Sequence, residues 1–282
     1  MSNEIASGGA VLPADGANAS LANRAAQSAA RSLLNFFGGL AILAVCWGIG
    51  GYLISVNPKT SSFSGFGLIP TLKAFPELWE LGKLQAAAAA SCFRLGSGLL
   101  IAIAVGVPIG ILMGRSKRFR DLSNSAFQFL RMISPLSWMP ITVFVFKEWD
   151  DSIIFLIAFA SVWPVMFSTA AGLAKVDPAW FKVARNLGAK PIHMLTRIIL
   201  PAISFDIFTG IRLALGVAWV VLVPAELLGV TSGLGYAIKD ARETLSYDNL
   251  TAMVLTIGVI GYSFDTICAL LIKRFSWHRG DA

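Results

Sequence analysis

The chain has 282 residues, 56% of them hydrophobic and 14% charged, with a mean hydropathy of +0.70. Those proportions exclude an ordinary soluble domain, in which charged residues are about twice as common. The net charge of +7, in so apolar a chain, points to loops beside anionic lipid and away from nucleic acid.

Residues 1–32 are rich in Ala, Ser, Asn and Gly and contain no apolar run, which predicts a disordered cytoplasmic tail. The first apolar run starts near Leu33 behind that long polar lead. It exceeds a signal-peptide core and reads as a retained span. Crossing the hydrocarbon takes roughly twenty apolar residues. Six runs qualify: Leu33–Val56, Ala86–Met113, Ser123–Phe146, Asp151–Ala174, Ile199–Val223 and Thr251–Ile272. The prediction is an all-α membrane protein of about six transmembrane helices. Its parts are a first span with a periplasmic segment (33–85), a transmembrane core (86–277) and a short tail (278–282). The third run holds Arg131, Pro135 and Pro140 and is expected to bend. With the N-terminus inside, fourteen Lys and Arg fall on inside segments and six outside, so both termini are expected in the cytoplasm.

Two outside segments stand out. Asn57–Gln85 carries an amphipathic patch at Phe75–Leu84, and Glu226–Leu250 carries Ser232-Gly-Leu-Gly235. Each helps close an outer gate, meets a soluble partner, or is a plain connection. In the second span Gly98, Gly106, Gly110 and Gly114 favour close helix contact.

Catalytic constellations are nearly absent. Cys46, Cys92 and Cys268 lie singly in apolar runs, and His193 and His278 lack metal-ligand spacing. No phosphate-binding glycine loop is present, so any ATP use belongs to another chain. No catalytic residue, metal or cofactor is expected here.

Polar groups inside spans cost a few kcal/mol unless paired or facing water. The basic ones are Arg94, Arg131 and Arg212; the acidic ones are Asp206, Glu226 and Asp265. One reading is structural, with Arg94, Glu226 and Asp265 engaged in ion pairing and Arg212 opposite Asp265. The other is an electropositive path for an anion, lined by Arg131, Ser134, Ser137, Trp138 and Arg212. The prolines at 135 and 140 would free carbonyls there, either as a packing kink or beside a watery cavity.

Between the fourth and fifth runs lies a basic insert, residues 175–198. Asp177-Pro178 is a helix start, Ala179–Leu187 a short helix, and Gly188 its end. Lys190-Pro191 opens a second helical stretch to Arg197. Such a knob either docks a cytoplasmic partner or lies against lipid headgroups.

Here the chain resembles the membrane subunit of bacterial binding-protein-dependent ABC importers. That family's cytoplasmic loop reads Glu-Ala-Ala, three residues, Gly, nine residues, Ile-x-Leu-Pro. The pattern falls on Lys182, Val183, Ala184, Gly188, Ile198, Leu200 and Pro201 with its spacing intact, with Lys for Glu at the first position and Val for Ala at the second. The likeness runs from about Ala86 to Trp277. It is closest to the branch serving nitrate, sulfonate, taurine and bicarbonate, through Arg94, Leu130-Arg131 with Pro135, Val176-Asp177-Pro178, Thr209-Gly-Ile-Arg212-Leu-Ala214, Ala225-Glu226, Gly233-Leu-Gly235-Tyr236 and Asp265. Lys147-Glu-Trp-Asp-Asp151 departs from that branch, where a glycine-containing turn is usual.

The resemblance implies a type I ABC importer permease fold in a multi-pass bacterial inner-membrane protein. It implies a homodimer in lipid, an ATP-binding subunit that holds the ATP and Mg, and a periplasmic or lipid-anchored substrate-binding protein. Lys182, Val183, Ala184, Arg185, Gly188, Ala189, Leu200 and Pro201 would form the ATPase-coupling loop. A small anion would cross by ATP-driven alternating access, with no chemistry on this chain and its identity left open. An ion-coupled secondary transporter and a non-transporting membrane anchor are the other classes. The first would need its own ion site, and the second would need neither the kinked span nor the arginines.

Overall fold

The computed structural model describes residues 14–275, and its regular elements are all helical. The chain divides into two compact units, Met1–Ile69 and Pro70–Ala282.

In the first unit, helix α1 (Ala14–Val56) begins well inside the expected disordered lead. That expectation is corrected from Ala14 onward; residues 1–13 lie outside the described residues. The small residues of the lead are largely alanine, the strongest helix former, so the helix continues upstream of its apolar part. Leu34–Val56 is apolar enough to cross a membrane, and Leu34, Phe37 and Leu43 are exposed along it, as lipid-facing side chains would be. A 3₁₀ turn, Ser61–Phe66, folds back on this helix. The Trp47 indole N–H donates to the Phe66 carbonyl at 2.8 Å. A side chain at Gly51 would stand 2.7 Å from Gly67 Cα.

The second unit is built on a pair of helices that run the same way. In α3 (Lys83–Arg115) and α6 (Trp149–Ala174), Gly98 meets Ile157, Gly106 meets Val165, Gly110 meets Thr169 and Gly114 meets Leu173. A Cβ at Gly110 would lie 2.5 Å from the Met166 carbonyl. The glycines therefore permit backbone approach, and bulk is not tolerated there. Because both residue numbers rise together, the helices are parallel. The chain must then return their full length between Arg115 and Trp149.

It returns in pieces, and here the prediction of one bent third span is corrected. Helix α4 (Lys117–Met132) is capped by the Ser116 hydroxyl, which accepts from the Phe119 N–H. Its 16 residues make about 24 Å, short of the roughly 30 Å of hydrocarbon. Ile133 and Ser134 are then extended, with ψ of 128° and 127°. Proline excludes the helical conformation from the residue before it, and Pro135 follows Ser134. A 3₁₀ turn (Pro135–Trp138) and α5 (Met139–Val145) complete the crossing. Among the described residues five helices are long and apolar enough to span, and Pro135–Val145 is a shorter apolar one.

Helix α9 (Leu200–Gly229) packs antiparallel to α6: Asp206 sits against Gly172, Ser168 against Gly210, and Trp149 against Gly229. Helix α11 (Tyr247–Phe275) is antiparallel to α9, through Arg212 with Asp265 and Trp219 with Gly261. Leu95, Ile153, Leu156, Ile157, Ala218 and Leu222 fill the seam of α3, α6 and α9. One end of the unit therefore gathers Arg115, Lys175, α7 (Pro178–Asn186), α8 (Pro191–Met194) and the end of α11. The opposite end gathers Arg94, Asp150, α10 (Leu234–Glu243) and the start of α11. Helix α2 (Leu68–Glu80) ends before a turn at Leu81-Gly82, so the amphipathic patch predicted over Phe75–Leu84 is cut by that turn. Thr71, Ala74 and Leu78 form its buried face.

Candidate functional site

The projecting loop is built around one helix with both ends closed. Asp177 caps α7, its carboxylate accepting from the Ala179 N–H at 2.8 Å, and Pro178 takes the first helical position. At the other end the Ala189 N–H donates to the Ala184 carbonyl and the Gly188 N–H to the Arg185 carbonyl, each at 3.0 Å. That bond pair is a Schellman stop, and Gly188 supplies its left-handed residue with φ of +75°. Helix α8 follows, and a π turn (Leu195–Ile199) leads into α9. Pro201 in the first turn of α9 has no N–H to give the residue 197 carbonyl, and the backbone widens just before it.

The two faces of α7 differ. Ala184 is buried against Leu173, Met194, Ile199 and Ile203, with Ala189 packed beside them. Trp180 (59% exposed), Val183 and Leu187 (81%) lie on the outer side. Their spacing of three and four residues is one helical stripe. Lys182, Arg185 and Gly188 are exposed as well, and Pro201 also faces outward. Sequence reading had singled out Val183 but missed Trp180 and Leu187. The signal was present as apolar residues at 180, 183 and 187 in an otherwise basic loop. Behind the loop, Lys175 pairs with Asp206 at 2.8 Å.

At the opposite end Arg94 and Glu226 are 1% and 0% exposed and paired at 2.7 Å. Asp150 accepts from Arg94 Nε and Nη2 at 3.1 and 2.9 Å. The Ser232 carbonyl and hydroxyl take further guanidinium protons. Glu226 also accepts from the Ser91 hydroxyl and the Gly235 N–H. Gly233 has φ of +105°, and a side chain there would run into Glu226 and Arg94. The cluster joins α3, α6, α9 and α10. Asp150 was not singled out from sequence; its signal was the charged Lys147–Asp151 connection.

Nearer mid-helix, Arg212 and Asp265 form a two-pronged pair, Nε to Oδ1 and Nη2 to Oδ2, both 2.7 Å. It faces a cavity of about 700 Å³ that Pro135, Thr209, Gly216 and Val220 also line. Arg131, Ser134, Ser137 and Trp138 do not line that cavity. The Arg131 guanidinium lies over the Phe167 ring, 5.6 Å from its centroid. Ser134 and Ser137 are exposed. Trp138 packs on Phe159 with ring centroids 5.5 Å apart, and its buried indole N–H has no acceptor among the described residues.

A parallel glycine-seamed helix pair, a composite crossing and a capped loop helix at one end are the features of a multi-pass membrane protein. Residues 106–277 match the family described as binding-protein-dependent transport system inner membrane component, and the chain belongs to that family. It is 35% identical over 184 residues to the bicarbonate transport system permease protein CmpB of Synechococcus elongatus, covering 64% of this chain and 66% of that one. A relative from Bacillus subtilis named as an aliphatic sulfonates transport permease, SsuC, is 34% identical over 83% of this chain and 82% of its own. The nitrate import permease protein NrtB of Leptolyngbya laminosa is 31% identical over 66% and 67%. The chain thus spans just under two thirds of the bicarbonate permease.

Proposed function

We propose that this chain is the permease subunit of an ABC importer for a small oxyanion or sulfonate, working as a homodimer. The observation that carries the coupling role is the outward stripe Trp180, Val183 and Leu187 on a helix anchored through Ala184. An exposed tryptophan flanked by aliphatics is the composition of a binding hot spot, and the core on the other face makes the helix a rigid lever. The partner it fits is a groove on an ATP-binding subunit, which holds ATP and Mg. Closure of the ATPase pair would push α7, and through the Pro201 junction α9, toward the other access state. Sidedness follows from charge: the loop end, with Arg115, Lys117, Arg118 and Arg120 beside it, is cytoplasmic, as is the C-terminus. The opposite end, with α10 and the Ser232–Gly235 cradle, receives a periplasmic or lipid-anchored binding protein. The anions are those named for the bicarbonate, sulfonate and nitrate relatives.

Ala184→Asp tests the lever. Burying a carboxylate against Leu173 and Ile203 displaces α7, so the variant is expected to insert normally and lose ATP-driven uptake in membrane vesicles. Normal uptake by a correctly inserted variant would refute the coupling role. The purified chain alone is expected to hydrolyse no ATP.

A further inference from the structure

We propose that the Asp265 carboxylate is a displaceable stand-in for the transported anion, occupying on Arg212 the place that a small oxyanion takes during transport. The inference rests on the permease reading above and adds the binding position.

Two of the ion pairs of the second unit are built for different ends. Arg94 and Glu226 are fully buried, and Asp150, serines and backbone groups hold their remaining atoms. Arg212 and Asp265 are 43% and 48% exposed and, among the described residues, hold each other. Arg212 lies six residues beyond Asp206 and fourteen before Glu226 on α9, or about 9 Å and 21 Å along the axis. That depth is inside the hydrocarbon, where a half-exposed pair needs a watery or protein-lined cavity. An open cavity is present, and among its described lining residues this pair supplies the charges; Thr209, Leu213, Gly216, Val217, Val220 and Val221 make the rest of its α9 wall. Residues 209, 212, 213, 216, 217 and 220 form one helical stripe. An anion entering meets Arg212 as the one cation among the described lining residues, in largely apolar surroundings.

Geometry supplies the selectivity. The guanidinium fork receives two coplanar oxygens at 2.7 Å each. Nitrate, bicarbonate and a sulfonate headgroup all present such an edge, as a carboxylate does. Exchange of one monoanion for another keeps Arg212 neutralised throughout. The displaced carboxylate is already half in the cavity, so it regains water as the substrate arrives. Asp265 thereby also bars a vacant Arg212 from standing open between cycles.

The test uses the complete transporter, with its ATP-binding and binding-protein subunits, in proteoliposomes supplied with nitrate, bicarbonate or ethanesulfonate. Asp265→Asn removes the competing charge and is expected to tighten binding of the accepted anion to the permease about tenfold. Arg212→Lys keeps the charge without the fork and is expected to lower uptake at least tenfold and flatten discrimination among the three anions. The exchanged double variant, Arg212→Asp with Asp265→Arg, is expected to assemble yet remain inactive. If the exchange restores normal uptake, the pair is a structural tie and the inference fails. Unchanged anion binding in a folded Asp265→Asn variant would overturn it equally. A wild-type complex that imports none of the three anions would overturn the permease reading and this inference together.

Discussion

Two glycines with the same backbone sign carry different loads, and the difference is measurable. Gly188 closes α7 with φ of +75° in open space, since nothing stands within 4 Å of a Cβ built there. Gly188→Ala is therefore expected to cost only the left-handed strain, about 1–2 kcal/mol, and to leave the loop formed. Gly233 has both the positive φ and the filled cradle. Gly233→Ala must also push Glu226 off Arg94, and disrupting a buried pair costs about 3–5 kcal/mol. Thermal unfolding in detergent should rank the two clearly, with the Gly233 variant far lower. Comparable midpoints would show that the cluster relaxes around the added methyl. At this scale the sequence was partly legible. The stop at Gly188 could be read from spacing because Schellman geometry is local. That Arg94 and Glu226 engage in ion pairing was legible too; Asp150 and Ser232 were not, because they lie 56 and 138 residues from Arg94 along the chain.

Among elements, α7 and the broken crossing were legible to different degrees. Asp177-Pro178 and Gly188 mark both ends of α7, and its range was readable to within a residue or so. Its outward apolar face was not, because a basic loop hides three apolar residues until the helix aligns them. Trp180→Ala removes the largest exposed side chain of that stripe. It is expected to weaken co-purification of the ATP-binding subunit by tenfold or more, a hot-spot loss, while membrane insertion is unchanged. Equal recovery of the subunit would move the contact elsewhere. The third crossing reads as one bent span from sequence, because hydropathy averages over a window. Only the proline restriction at Ser134 reveals that the path divides into α4, a 3₁₀ turn and α5. In the same way, small polar composition concealed that α1 starts at Ala14.

For the whole second unit, parallel packing of α3 and α6 fixes the parity of every crossing that follows. The loop helix and the end of α11 share one face, and α10 lies on the other. Single cysteines at Lys182 and Asp248, placed in a chain whose own three cysteines have become alanine, should therefore label oppositely. An impermeant maleimide applied to intact cells is expected to reach position 248, and position 182 only after permeabilisation. Labelling of both from one side would contradict the arrangement. The number of crossings was close to legible because hydrocarbon thickness acts on each run separately. Which crossings touch was not, since glycine spacing says that a helix is approached and not by which neighbour.

The Arg94 cluster has a consequence for how the protein is made. Arg94 leaves the ribosome 56 residues ahead of Asp150 and 132 ahead of Glu226. At roughly 5–20 residues per second, its main partner follows by something like 7 to 26 seconds. During that interval the growing chain holds Arg94 at the membrane without Glu226. Asp150 arrives first and offers it a provisional partner, before the lasting one is synthesised. Biogenesis should then depend on Asp150 more than the finished fold does. Asp150→Asn is expected to lower the yield of inserted protein in pulse-labelled cells, while the molecules that mature unfold near the wild-type temperature.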